Sequence, residues 1–138
     1  MLVARFALNT EEIDIEGDFD GLIKLTKDIS EVLDEGTISL SYVDPIPYDR
    51  ALKVIHVKKE NGKDTPVKIL VNGDTLDING SAQNLEILIQ NIRFLISQGV
   101  DSHSSIQNHI HIEYYEGHRY LSSQSAAVTV SFRSTHAA

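Results

Sequence analysis

The sequence predicts an α+β domain: two fused strand–strand–helix–strand–strand repeats forming a largely antiparallel sheet of about eight strands, with two helices on one face. Three observations predict it. First, the chain is written twice. Arg5–Gly36 lies over Lys68–Gly99 at an offset of 63 without a gap, with identities at Asn9/Asn72, Asp14/Asp77, Ile15/Ile78, Gly17/Gly80, Leu22/Leu85, Leu25/Leu88, Ile29/Ile92 and Gly36/Gly99. Second, Leu22, Leu25, Ile29 and Val32 follow the 3–4–3 spacing of an amphipathic helix, and Leu85, Leu88, Ile92 and Leu95 repeat it. Third, the remaining apolar stretches are short and alternate with polar residues, as strands do. The chain reads as a single domain, residues 1–138, with residues 1–62 as the first repeat and 63–138 as the second.

Taken in order, the first repeat opens with two strands joined near Asn9-Thr10. The second of these carries Glu12, Asp14 and Glu16 on one face and Ile13 and Ile15 on the other. Asp18 then sits where an N-cap oxygen is wanted and Gly36 where a left-handed C′ residue is wanted; Ser81 and Gly99 repeat the pair. Thr37–Tyr42 and Ala51–Val57 complete the first repeat. Asn61-Gly62, a strong hairpin signal, joins the copies within one sheet, and Asn72-Gly73-Asp74 reads as a second tight turn. The second helix adds Ile87 and Ile89, so a wider arc of it is buried. Nine extra residues, Val100–Asn108, form a polar loop containing His103. The copies then realign at an offset of 72, with Thr37–Tyr42 over His109–Tyr114 and Tyr48 over Tyr120. A further three-residue insertion sets Ala51–Val57 against Ala126–Phe132. Ile110, Ile112 and Tyr114 are expected in the core, and the sheet face away from the helices is open to water or to a partner.

Composition narrows the function. The 138 residues are 41% hydrophobic and 23% charged, enough for one real core. No apolar run approaches the ~18 residues of a membrane span, and the N-terminus lacks the basic start and apolar stretch of a secretory signal. There is no cysteine, hence no disulfide, thiolate ligand or thiol nucleophile. A cytoplasmic location is expected. The net charge of −8 repels a nucleic-acid backbone and suits a basic protein partner. It is uneven: residues 1–65 hold 14 acidic against 8 basic side chains, and residues 66–138 hold 6 against 4.

One motif invites a chemical reading. In Asn108–His118, strand alternation would place His109, His111 and Glu113 on one face, a ligand set suited to zinc or non-haem iron. Three same-face positions on one strand spread over about 13 Å, however, so one ion needs help from elsewhere. His56, His103 and His118 offer themselves only by proximity. At these positions the first copy has Thr37, Ser39 and Ser41, so the shared property is amphipathicity rather than ligation. A structural or partner-facing strand is the favoured reading; a metal-binding enzyme or ligand module centred on His109, His111 and Glu113 is the alternative. No catalytic constellation is expected: Gly17 and Gly80 are lone glycines, and Ser122, Ser123 and Ser125 read as loop chemistry.

The second repeat, with a helix followed by His109-Ile110-His111-Ile112-Glu113-Tyr114, then Tyr120-Leu121 and Ser125 before a closing apolar strand, resembles the bacterial immunity protein 32 family over about residues 68–133. The resemblance implies a small cytosolic antidote of a polymorphic toxin system. The first repeat would be a diverged unit that keeps Tyr42 and Tyr48 but lacks both histidines and the glutamate. The expectation is therefore a protein that binds and neutralises a co-encoded toxin, such as a basic nuclease, by occlusion and without catalysis or cofactor. It would act as a monomer equivalent to a pseudo-dimer, with no role for nucleic acid or membrane. The candidate contact surface has two parts: the acidic face Glu12, Asp14 and Glu16, and the face His109, His111 and Glu113 with Tyr115.

Overall fold

The computed structural model describes residues 1–101 and 108–133. Strands β1 (Leu2–Phe6) and β2 (Ile13–Gly17) lead into helix α1 (Phe19–Glu31), then β3 (Glu35–Ser39), a short β4 (Arg50–Ala51) and β5 (Val54–Glu60). The second repeat runs β6 (Lys68–Asn72), β7 (Thr75–Ser81), helix α2 (Ala82–Asp101), β8 (Asn108–Ile112) and β9 (Val128–Phe132). The class is α+β as expected, with nine strands and two helices among the described residues.

The strands divide between two mixed sheets instead of lying in one. A five-stranded sheet has the order β4-β1-β2-β9-β8, and a four-stranded sheet the order β3-β5-β7-β6. In each, the first hairpin of one repeat lies beside two later strands of the other, β9 and β8 beside β1 and β2, and β5 and β3 beside β7 and β6; the short β4 pairs with β1 of its own repeat. The joints are parallel: Ile15 opposes Val130 where β2 meets β9, and Val57 opposes Ile78 where β5 meets β7. Each helix therefore carries its chain across from one sheet to the other. This is why Asn61-Gly62 does not close a hairpin. The chain turns instead at Lys63-Asp64, where the Thr65 N–H donates to the Gly62 carbonyl at 3.2 Å, and β7 separates β5 from β6. Asn72-Gly73-Asp74 does make the tight turn, with Asn72 opposite Thr75 and Gly73 at φ +63°, as a type II′ hairpin wants.

Strand register also revises the alignment of the copies. Ile13 opposes Val128 while its match, Leu76, opposes Ile55, so Ile55 occupies the place of Val128. Ile38 opposes Ile55 and Ile112 opposes Val128, which pairs Ile38 with Ile112 at an offset of 74 rather than 72. Glu35 and Thr37, not Thr37 and Ser39, thus stand where His109 and His111 stand in the second copy.

One continuous core joins both sheets and both helices. It includes Ile13, Ile15 and Val130 from one sheet, Ile55, Leu76 and Ile78 from the other, Leu22, Leu25 and Ile29 from α1, and Leu85, Leu88, Ile92 and Leu95 from α2. Each such aliphatic side chain, fully buried, contributes roughly 1.5–3 kcal/mol. Ile89 is buried and Ile87 half-buried, giving α2 the wider arc expected of it. The N-caps form as read: Asp18 Oδ1 accepts from the Gly21 N–H at 2.8 Å and Ser81 Oγ from the Asn84 N–H at 3.2 Å. The C-terminal ends differ. Gly36 lies in β3 and Gly99 inside α2, and α2 runs through Val100 and Asp101, the first residues of the expected loop. The rest of that loop up to residue 107, including His103, lies outside the described residues. Tyr114, expected in the core, falls beyond the end of β8 and is 41% exposed. No helix among the described residues is long and apolar enough to cross a membrane.

Candidate protein-binding face and cleft

The parallel joint between β2 and β9 brings the two candidate surfaces together. Asp14 and Glu16 stand opposite Thr129 and Ser131, which in turn stand opposite His111 and His109 on β8. Opposed residues share a face, so the acids of the first repeat and the histidines of the second lie on one side of the five-stranded sheet. Both copies alternate apolar with polar in the same phase, which sends Ile13, Ile15, Ile110 and Ile112 toward the core and these polar residues away from it.

The acidic half of this face is largely satisfied from within. Arg5 Nη2 lies 3.0 Å from Asp14 Oδ2 and 3.5 Å from Glu16 Oε2, and Arg133 Nη1 lies 2.9 Å from Glu16 Oε1. The chain beyond β3 crosses over Arg5: the Ile46 carbonyl accepts from Arg5 Nη1 at 3.4 Å, and the guanidinium lies 5.1 Å from the centre of the Tyr48 ring. Asp14 is left 8% exposed, and burial pushes its carboxyl above the usual 3.8 against the pull of Arg5. The expected solvated face of Glu12, Asp14 and Glu16 is thus reduced to Glu12, which precedes β2 and is exposed. A central strand flanked on both sides cannot leave its polar row as open as an edge strand would.

The histidine half is open. His109 and His111 are exposed on β8, their rings edge to face with centroids 4.9 Å apart, and His111 Nδ1 lies 3.1 Å from Thr129 Oγ1. Glu113 is past the strand end, so strand alternation does not carry it into a three-residue row. Among the described residues no three His, Cys, Asp or Glu side chains are placed to hold a metal ion. His56, another histidine considered for such a site, lies on the four-stranded sheet between Glu35 at 3.4 Å and Asp77 at 3.5 Å.

Beside β8 opens a cleft of about 400 Å³, walled by Ile87, Asn91 and Phe94 of α2, by residues 110–113, and by Tyr115, His118, Arg119 and Tyr120 of the following loop. The loop is built on a turn whose His118 N–H donates to the Tyr115 carbonyl at 2.9 Å, with Gly117 at φ +85° in the left-handed position that a type II turn gives to glycine. His118 fixes the start of the next segment. Its Nδ1 accepts from the N–H groups of Leu121 at 3.0 Å and Tyr120 at 3.3 Å. The ring is therefore neutral, with its proton on Nε2, and burial lowers its pKa below the usual 6.5. Tyr115 and Tyr120 pack on it at 4.6 and 4.8 Å between ring centres, and Tyr120 OH accepts from Asn91 Nδ2 at 3.0 Å. Ser125 is structural: its hydroxyl donates to the Val67 carbonyl and accepts from the Ile69 N–H, both at 3.1 Å.

Sequence reasoning found Tyr115 but not the cleft, because α2 and the loop meet only in the fold. The signal available was the density of aromatics and glycine in Tyr114-Tyr115-Glu116-Gly117-His118. Tyr115 and Phe94 remain 64% and 62% exposed, large apolar side chains left in water at the mouth of a cleft. No family model, no curated protein and no solved structure matches this chain.

Proposed function

We propose that this chain is a non-catalytic, cytoplasmic neutralising protein that binds a basic bacterial toxin, of which a nuclease is the natural example, and blocks it by occlusion. The carrying observation is the juxtaposition of an exposed acidic and aromatic loop, Glu113-Tyr114-Tyr115-Glu116, with the open histidine half of a sheet face. Aromatic side chains supply contact area at low entropic cost, and the surrounding negative charge speeds encounter with a basic partner. The fusion of two repeats suits a monomer acting as a pseudo-dimer. Because Asp14 and Glu16 are paired internally, the charge offered to a partner comes from Glu12, Glu113 and Glu116.

The test is co-expression with the toxin domain encoded beside the gene. Growth rescue and a one-to-one complex in solution are expected. The triple variant Glu12→Lys/Glu113→Lys/Glu116→Lys should fold normally, weaken binding by about tenfold or more and lose the salt dependence of association. Absence of rescue by the unmodified protein would end the proposal.

A further inference from the structure

We propose that the cleft receives an extended segment of the protein partner, which adds a strand to the open edge of β8; this rests on the reading of the chain as a protein binder. The backbone phase of β9 supports it. The Ile13 N–H donates to the Ala127 carbonyl and the Arg133 N–H to the Gly17 carbonyl, each at 2.9 Å, so residues 127, 129, 131 and 133 turn toward β2. The alternate residues Val128, Val130 and Phe132 then turn toward β8, where they oppose Ile112, Ile110 and Asn108. His111, lying between, directs its N–H and C=O to the other side. Strand β8 is last in its sheet, and among the described residues no strand covers that side.

The cleft opens along this edge, with Ile110 and Ile112 below and Ile87 and Phe94 of α2 opposite. A groove between an edge strand and a helix is the arrangement in which peptides bind by strand addition, with main-chain bonds giving affinity and alternate side chains giving selectivity. Here one set of alternate side chains would be apolar, entering between Phe94 and Tyr115. A basic residue belongs opposite Glu113, in keeping with the net charge of −8. Arg119 is the basic side chain among the lining residues, and it disfavours a second positive charge within the cleft.

A random 12-residue peptide library displayed on phage probes the edge directly. Enrichment of sequences alternating apolar residues with a Lys or Arg is expected. Synthetic peptides made from them should slow amide hydrogen exchange at His111 by about tenfold or more on the unmodified protein. His111→Pro removes an N–H that the β8–β9 ladder does not use, and proline is tolerated on an edge. That variant should lose about tenfold in peptide affinity, the worth of one main-chain hydrogen bond, whereas His111→Ala should change it less than about threefold. No enrichment, or bound peptide that leaves His111 exchange unchanged, would overturn the inference. A toxin neutralised equally by His111→Pro and the parent overturns strand addition but leaves the neutralising function standing. Peptides held at His111 without any rescue from the toxin do the reverse.

Discussion

At the scale of single residues, the most consequential contact is between Arg5 and Asp14. The acid is buried, and desolvation raises its pKa above 3.8 despite the guanidinium 3.0 Å away. A carboxyl with a higher pKa in the folded state binds more protons there than when unfolded. Its contribution to stability therefore falls as pH rises from 3.8 through the folded value. Keeping the pair is close to neutral, while breaking it strands a buried charge. Arg5→Ala should accordingly cost about 3 kcal/mol in urea unfolding at pH 7. Adding Asp14→Asn should restore most of that loss and flatten the pH dependence just above 3.8. A double variant as unstable as Arg5→Ala alone would mean that Arg5 acts through its contact with Tyr48 instead. The polarity of Asp14 was legible in its alternation with Ile13 and Ile15. Its burial was not, because alternation says which residues share a face and nothing about which strands flank them.

At the scale of elements, local signals held wherever one side chain serves its own backbone. Asp18 and Ser81 cap their helices, and Gly73 turns its hairpin, since each needs only the next few residues. Gly36 and Gly99 misled for the same reason: a glycine after a helical stripe satisfies a C′ position, but it also permits close approach. At Gly99 the approach is the point. A Cβ there would lie 2.5 Å from Cδ1 of Phe132, so the bare backbone of α2 makes room for a β9 ring. Alanine gains about 1 kcal/mol in helix propensity, whereas overpacking costs about 1–3 kcal/mol. Gly99→Ala should therefore be net destabilising by about 1 kcal/mol, and Phe132→Leu in the same chain should recover it. A Gly99→Ala variant more stable than the parent would show that the glycine served no packing role. The register of β3 and β8 was hidden by another degeneracy. A slip of two residues leaves every apolar residue facing the core, so offsets of 72 and 74 satisfy the same pattern.

At the scale of the whole molecule, duplication was legible and its consequence was not. Eight matched positions announce two units, and the simplest expectation gives each unit strands that complete one another in a single sheet. In the fold, β1 and β2 are completed by β9 and β8, and β7 and β6 by β5 and β3. Smaller joints stay within a repeat, where the Leu52 N–H donates to the Ala4 carbonyl at 2.9 Å and the Ala126 N–H to the Ile69 carbonyl at 2.8 Å. Neither repeat contains a finished sheet, and the core residues of each are covered partly by the other. The candidate face inherits this dependence, since its acids and histidines come from different repeats and meet only across the β2–β9 joint. Residues 1–62 and 63–138, expressed separately, should each fail to form a folded monomer. Mixed, they should assemble one to one and regain the circular dichroism and cooperative unfolding of the intact chain. A homodimer of 63–138, with β7 of one copy beside β9 of the other, would be the same pairing made between identical repeats. A folded monomer of either half would contradict the exchange, because its first hairpin would then have found its partners within its own repeat.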